Sequence, residues 1–385
     1  MNIEFVLAIF EFSLLAMNLI FWQGIISIHQ KSFLEALAWE PRVKSVTLVV
    51  EQTITDYRKN MGWDVPEIKH VQLIIAPDKQ HITEIFATNK NAIHILGGLC
   101  VSPMMTNAIN AGIAAKAKMG IMTEPYDRAG IKGMLRDIKY RYLKIRYSKH
   151  IDFLLTIGKE GVNAFTRLGF NTEKVFPWAY FVTIPLPERV PDIAGKIRIL
   201  YAGRVTEQKG IYRFVKELAA TGNKDYVLDI YGDGPDVDKI RALMNGNSGE
   251  EQIHLYPFQK YDDMLLKYCA YDWVVLPSTQ KDGWGVIINE GLLNGLKGIC
   301  SNICGVSWAI KDGKNGVTFD WHTEHSCGNA IKQMLANESF WPAEKTALWA
   351  GAALTGEAGA AYCLQILDNV YDSGSRPTAP WLTEQ

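Results

Sequence analysis

Residues 273–293 read WVVLPSTQKDGWGVIINEGLL, and the reading of this stretch decides the fold. Its first part, WVVLPS, is a short apolar run with the β-branching of a buried strand. TQKDGWG is a loop, and the segment from Val286 onward carries the apolar pattern of a helix. A strand that leads through a loop into a helix is the repeating unit of a parallel sheet. Working outward, IRILYAG, YVLDIYG, IHLYPF and GICSN are strand-like in the second half, and SVTLVV, VQLIIA, AIHIL, GIMTE and FLLTIG in the first. The proline-rich segment PWAYFVTIPLPERVPDIAG separates the halves and lacks a helical period. The pattern predicts an α/β chain of two Rossmann-like, doubly wound domains facing across a cleft, with ligands at the carboxyl ends of the strands. The expected domains are residues 1–181 and 196–355, joined by a linker at 182–195.

Composition narrows the classes. The chain has 385 residues, of which 48% are hydrophobic, enough to fill two cores. With 40 basic and 41 acidic residues there is no global field to favour nucleic acid. The six cysteines, Cys100, Cys269, Cys300, Cys304, Cys327 and Cys363, show no CxxC pair and no disulfide-scaffold density, which indicates a reducing compartment. Cys300 and Cys304 lack a second ligand pair at zinc-site spacing and read as buried thiols.

The start of the chain, FVLAIFEFSLLAMNLIFWQGIISI, is long enough to span a bilayer. It is interrupted by Glu11, Asn18 and Gln23, and no basic region precedes it. The reading favoured over a transmembrane span is a first strand, IEFVLAIF, an apolar loop near residues 12–22 suited to a membrane surface, and a helix beginning near Gly24.

Chemistry concentrates in the second half. In ILYAGRVTEQKG a strand ends at Gly203, and Arg204 and Lys209 lie in the loop before a helix. Two cations at a strand exit and a helix amino terminus suit a phosphate, although no Walker A spacing is present; solvated surface cations are the plain alternative. LDIYGDGPDVDKI brings Gly232 and Gly234 to the same end of the sheet, either as a tight turn or as a loop that approaches a ligand. Position 237 is Val, so the dinucleotide fingerprint is incomplete. In the opening stretch, Asp282 precedes the helix and Glu290 lies about one turn inside it. The first-turn amides suit an anion, and the two carboxylates suit neutral hydroxyls. The implied ligand is a sugar joined to a nucleoside diphosphate.

GRVTEQKG, YGDGPD and PSTQKDGWGVIINEGLLNGLKGICSNICG together resemble the retaining family 4 glycosyltransferases of the GT-B fold, in particular bacterial enzymes of surface-polysaccharide assembly. The family motif is E-x7-E, and here Asp282 holds the first place and Glu290 the second. The resemblance implies that Glu290 holds the ribose, and that Asp282 with the amides of Gly283, Trp284 and Gly285, next to Val286, holds the donor sugar. Arg204 and Lys209, beside Gly203, Gly232 and Gly234, would grip the diphosphate, and the segment around Phe258 would read the base by backbone contacts. It further implies retention of configuration, no cofactor beyond the nucleotide sugar (UDP- or GDP-linked), no required metal, and a final helix and tail, 356–385, that cross back to the first domain. The tail RPTAPWLTEQ is expected to be loosely held.

The first half matches less closely. NAIHILGGL and GIMTEPYD look like the family's two donor-facing loops, and they offer His94 and Glu124 as contacts to the sugar or the acceptor hydroxyl, or as satisfied structural residues. The same holds for Tyr126 and Asp127. IKGMLRDIKYRYLKIRYSKH places Lys132, Arg136, Lys139, Arg141, Lys144 and Arg146 on one helix with the single acid Asp137. Such a helix can lie on anionic lipid or be a solvated face. With the apolar loop in the same domain, the expectation is a cytoplasmic protein peripheral on the inner face of a bacterial membrane. Its acceptor would be a lipid-linked oligosaccharide in O-antigen, capsule or lipopolysaccharide synthesis. The competing classes are a GT-B nucleotide-sugar binder without transfer, a GT-B nucleotide-sugar epimerase and a Rossmann oxidoreductase; the missing third glycine argues against the last.

Overall fold

The computed structural model describes residues 16–56, 59, 64–190, 195–246 and 251–383. The chain forms two compact units, one reaching to Val182 with Thr355–Ala379 added, the other Thr183–Leu354 with the chain end from Pro380. In the first unit, strands β1 (Met17–Gln23), β2 (Val43–Val50), β3 (Gln72–Ile75), β4 (Ile93–Gly97), β5 (Lys118–Thr123), β6 (Phe153–Ile157) and β7 (Val175–Trp178) form a parallel sheet. Their order is β3-β2-β1-β4-β5-β6-β7. Helices α1 (Ile28–Trp39), α2 (Lys79–Thr88), α3 (Pro103–Ala115), α4 (Gly130–Tyr147) and α5 (Gly158–Arg167) lie between strands in the chain. The second unit has β8 (Ile197–Ala202), β9 (Tyr226–Tyr231), β10 (Ile253–Tyr256), β11 (Trp273–Leu276), β12 (Lys297–Ser301) and β13 (Gly316–Phe319), in the order β10-β9-β8-β11-β12-β13. Its helices are α6 (Ile211–Ala220), α7 (Val237–Gly246), α8 (Tyr261–Leu265), α9 (Val286–Leu293), α10 (Ser326–Ala336) and α11 (Ala343–Leu354). Both domains are thus doubly wound and Rossmann-like, as the alternation of apolar runs predicts. In each sheet the strand order reverses beside the first strand, at β1/β4 and at β8/β11, which are the places where such sheets receive ligands.

The last helix, α12 (Gly356–Tyr371), packs on α1 within the first unit. It is fixed there by the Arg42–Asp368 ion pair and by the Tyr371 hydroxyl, which donates to Asp152 at 2.8 Å.

The start of the chain departs from expectation. The proposed strand IEFVLAIF lies outside the described residues, and the segment read as the end of an apolar surface loop is β1 itself. Leu19, Ile20, Phe21 and Trp22 are buried, and β1 pairs in parallel with both β2 and β4. A parallel strand covered on both faces needs a continuous apolar run, and a membrane loop asks for the same composition. The helix begins at Ile28 and not near Gly24. Among the described residues no helix is long and apolar enough to cross a membrane. The strand β7 also went unread, because Pro177 sits within it; β7 is an edge strand, where a missing N–H is tolerated.

His94 does not stand at the carboxyl end of its strand. It is the second residue of β4, toward the amino end of the strand, at 0% exposure, stacked on Phe86 with ring centroids 4.0 Å apart, and its Nδ1 accepts from the Trp22 indole at 3.2 Å. Burial pushes its pKa down to about 4, so the neutral ring is part of the core and unavailable to an acceptor. A histidine whose folded pKa is depressed contributes stability that is present above the unfolded value and lost as pH falls toward the folded one. The window is pH 6.5 to about 4. His94→Phe should therefore lose up to about 3 kcal/mol less stability than the parent between these limits in denaturant titrations. Equal pH profiles would show that His94 does not titrate in this way.

Candidate functional site

The site is built from three loops at the carboxyl ends of the adjacent strands β9, β8 and β11. The loop after β8 is locked to the loop after β9 by an extension of the parallel ladder. The Gly203 amide donates to Tyr231 O at 2.9 Å, Val205 to Asp233 O at 2.9 Å, and Asp236 back to Val205 O at 3.1 Å. This approach explains Gly232: its φ is +152°, and a Cβ there would lie 1.9 Å from the Gly203 carbonyl oxygen. The glycine spacing read as a possible ligand loop is therefore required by loop-to-loop packing in the first instance. Gly234 is placed likewise against Val205 O.

On its other side the same loop is tied to the loop after β11. Thr279 donates from its amide to Gln208 O at 2.9 Å and from its hydroxyl to Glu207 O at 2.7 Å. These bonds bring Lys209 to Asp282, whose Oδ2 accepts from Lys209 Nζ at 2.5 Å and from the Ser278 hydroxyl at 3.1 Å. Both partners of the pair keep about a quarter or less of their side chains exposed. Arg204 and Gly203 are exposed at the head of the loop, and Phe258 is exposed beyond β10.

Asp282 and Glu290 are set in different surroundings. Glu290, on α9, is buried, and its Oε2 accepts from the Tyr268 hydroxyl at 2.5 Å. Burial pushes its pKa above the ordinary carboxylate value, while hydrogen bonds from Tyr268 and Tyr261 pull it back. Between them, Gly285 caps α9 with φ +109°, and the Trp284 side chain turns into the core, where its Nε1 donates to Asn289 at 2.9 Å. Trp284 can thus offer a ligand only its backbone; Val286 is buried as well. Ser278, Tyr261 and Tyr268 were not singled out in the sequence. Nothing in a lone serine or a tyrosine pair seven residues apart links them to acids further along the chain.

In the first unit, Glu124 is exposed just past β5 and accepts from Tyr180 at 2.6 Å. Tyr126 and Asp127 serve the start of α4: Tyr126 donates to Asp137 at 2.7 Å and stacks on Tyr140, and Asp127 pairs with Arg136.

Comparison with known proteins finds a family match within the second unit. Residues 188–349 match the family of glycosyl transferases group 1. A D-inositol 3-phosphate glycosyltransferase of Arthrobacter sp. (strain FB24) is 26% identical over 34% of this chain. The lipopolysaccharide core biosynthesis glycosyltransferase LpsE of Rhizobium meliloti is 25% identical over 37%. The matched stretches span 32% and 40% of those two proteins' own lengths. Among solved structures, the lipopolysaccharide outer core galactosyltransferase WaaB in its apo form aligns with a TM-score of 0.70 at 15% identity, covering 93% of this chain and 99% of its own. Anabaena Alr3699/HepE in complex with UDP and glucose aligns with a TM-score of 0.65 at 13% identity, covering 92% and 100%. The fold is that of the GT-B glycosyltransferases.

The tyrosine hydroxyls favour the charged form of Glu290, so removing one matters most where that carboxylate is ionised. Tyr268→Phe should raise the Glu290 pKa further. The stability deficit against the parent should be about 1 kcal/mol at pH 4 and grow to about 2 kcal/mol at pH 8. Chemical denaturation at both pH values measures it, and a deficit that shrinks with rising pH would contradict the assignment.

Proposed function

We propose that this protein transfers a sugar from a nucleoside-diphosphate sugar to a saccharide acceptor carried on a lipid, at the surface of an anionic membrane. The observation that carries the donor part is the convergence of Arg204, Lys209, Asp282 and Glu290 at the carboxyl ends of β8 and β11, joined by the direct Lys209–Asp282 contact. Glu290 takes the ribose hydroxyls, the amides around Gly283 and Gly285 with Asp282 take the sugar, and Arg204 and Lys209 take the diphosphate. The bond from the sugar's anomeric carbon to the diphosphate breaks, and the acceptor oxygen bonds to that carbon on the same face. The acceptor's proton passes to a diphosphate oxygen, so configuration is retained. The cations and the first-turn amides of α9 stabilise the charge that develops on the leaving group, with no metal needed. The similarity to HepE, solved with UDP and glucose, supports a nucleotide-sugar donor, and that to the lipopolysaccharide core enzymes LpsE and WaaB supports a surface-glycan setting.

The membrane part rests on α4. At 3.6 residues per turn, Ile131, Met134, Leu135, Ile138, Tyr142 and Ile145 share one arc about 100° wide. All six are exposed, Ile131 and Ile145 at 77%. The opposite face, with Tyr140, Leu143 and Tyr147, is the one that joins the core. A solvated helix has its polar face outward, whereas this one is apolar on both sides. Lys132, Lys139 and Arg146 recur every seven residues along one flank of the outward arc and are exposed. Arg136 and Arg141 are paired with Asp127 and Asp137, and Lys144 is half-buried, so these three belong less to a lipid-facing set than the sequence suggests. An apolar arc flanked by cations fits an anionic lipid surface.

Thermal shifts with UDP, GDP, ADP and their sugar conjugates, with and without magnesium, test the donor reading. One base should raise the melting temperature without metal. Glu290→Ala should weaken nucleotide binding about tenfold to a hundredfold, whereas Asp282→Ala should keep the bare nucleotide bound and abolish sugar transfer. Transfer at parental rates in both variants would refute the placement. For the membrane reading, vesicles containing phosphatidylglycerol should co-sediment the parent at low salt. The triple variant Ile131→Ser, Ile138→Ser, Ile145→Ser should stay in the supernatant, and equal sedimentation of the two would exclude α4 as the contact.

A further inference from the structure

We infer that the end of the chain is a positioning element for the loop at Gly283–Gly285, with Trp381 as its anchor; this goes beyond the donor reading above and rests on it for the loop's role in holding sugar. After α12 has run through the first unit, the chain from Pro380 rejoins the second. Chain ends usually fray, and the composition of RPTAPWLTEQ gives no reason to expect otherwise. Yet residues 380–382 form a helical turn, and Trp381 is 0% exposed. The segment is held from two sides. The Trp349 indole of α11 donates to Thr383 O at 3.1 Å, and the Thr383 hydroxyl closes the turn on Pro380 O at 2.8 Å. The Trp381 ring meets the Trp284 ring edge to face, with centroids 5.5 Å apart and planes at 77°.

Trp284 is the centre of the loop in question, between Gly283 and Gly285. Its indole has two fixed neighbours, Asn289 in the first turns of α9 and Trp381 at the chain end. The backbone of the loop is held by the turn at Gly305–Ala309, which also touches the 380–382 turn. The amides of Gly305 and Val306 donate to the carbonyls of Asp282 and Trp284 at 3.0 and 2.9 Å. A Cβ on Gly305 would sit 2.0 Å from Gly283 O, so this approach leaves no slack. Two glycines on either side of a tryptophan make a loop that is soft by itself. The turn at Gly305–Ala309 holds its carbonyls and Trp381 holds its indole from outside the loop and its helix, and together they set one geometry in which its amides can meet a sugar. The tail therefore sets affinity for the sugar part of the donor and leaves the nucleotide part, at Glu290, alone.

The test uses the full chain with Trp381→Ala, Trp381→Phe and Trp349→Phe. Amide hydrogen exchange in the ligand-free protein should be at least about tenfold faster over residues 283–285 and 305–309 in Trp381→Ala. It should be near parental in Trp381→Phe and intermediate in Trp349→Phe, with β8 and β9 protected in all three. For the nucleotide that the parent binds, Trp381→Ala should keep the diphosphate affinity within about threefold while KM for the sugar nucleotide rises about tenfold or more. Exchange and KM both at parental values would overturn the inference. So would exchange that rises equally in β8 and β9, because the tail would then only support the unit as a whole. If the parent binds no nucleotide sugar, the donor reading fails, and the exchange measurement still decides whether the tail holds the loop.

Discussion

The second unit depends on one close approach, that of the chain at Gly203 to the chain at Gly232. The parallel ladder between β8 and β9 continues past the strands, and the amide of Gly203 and the carbonyl of Tyr231 keep it in register. Any side chain at position 232 would meet the Gly203 oxygen, so the two loops can lie this close only with glycine there. The loop from Gly203 to Gly210 is then fixed on both flanks, by the bonds of Val205 with Asp233 and Asp236 on one and by Thr279 on the other. With the backbone of its loop fixed, Lys209 lies within reach of Asp282 and pairs with it. The juxtaposition of a cation from one strand end and a carboxylate from another is thus a consequence of backbone geometry, and the side chains add the last step.

In the first unit the governing fact is the depth of the sheet. With β1 between β2 and β4 and covered on both faces, its apolar side chains form core, each burial contributing about 1.5–3 kcal/mol. That leaves α4 as the element whose hydrophobicity exceeds what the core can use. Its inward face is filled by Tyr140, Leu143 and Tyr147, with Tyr126 stacked over Tyr140. The six apolar residues of its outward arc keep more than half of their surface exposed. Water around them is a standing cost that folding of this unit does not relieve. The membrane contact proposed above would remove that arc from water.

Most of the architecture was legible in the sequence, since parallel strands covered by helices write themselves as short apolar runs at regular intervals. The failures share a cause: one composition serves two structures. Met17–Gln23 suits a buried strand and an interfacial loop equally, and Pro177 marks a linker as readily as an edge strand. His94 in AIHIL could be placed at either end of a strand or inside it, and only its stacking on Phe86 and Trp22 decides. At the candidate site, the positions of Lys209 and Asp282 were readable because each follows a strand and precedes a helix, and that of Glu290 because it lies about a turn inside the helix that Asp282 precedes. Tyr261 and Tyr268 were not, because they reach Glu290 through tertiary packing that no spacing encodes. The tail misled for the same reason: Trp381 is one residue in a polar, proline-bearing end, and its burial depends on Trp284 and Trp349, far off in the chain.

The two carboxylates differ in a way that bears on what each can touch. Asp282 is partly exposed and has Lys209 against it, so its charge is matched within the protein. Glu290 is buried, and its hydrogen-bond partners among the described residues are the neutral hydroxyls of Tyr268 and Tyr261. A diphosphate brought close to an unmatched buried carboxylate would meet strong repulsion in a medium that screens little. Near Asp282 the same anion meets a pair in which Lys209 can be shared, and Arg204 stands at the head of the same loop. On the donor reading proposed above, charge puts the hydroxyls at Glu290 and the anion toward Lys209. A donor laid the other way round would set its phosphates against a buried acid whose side-chain partners among the described residues are two tyrosine hydroxyls.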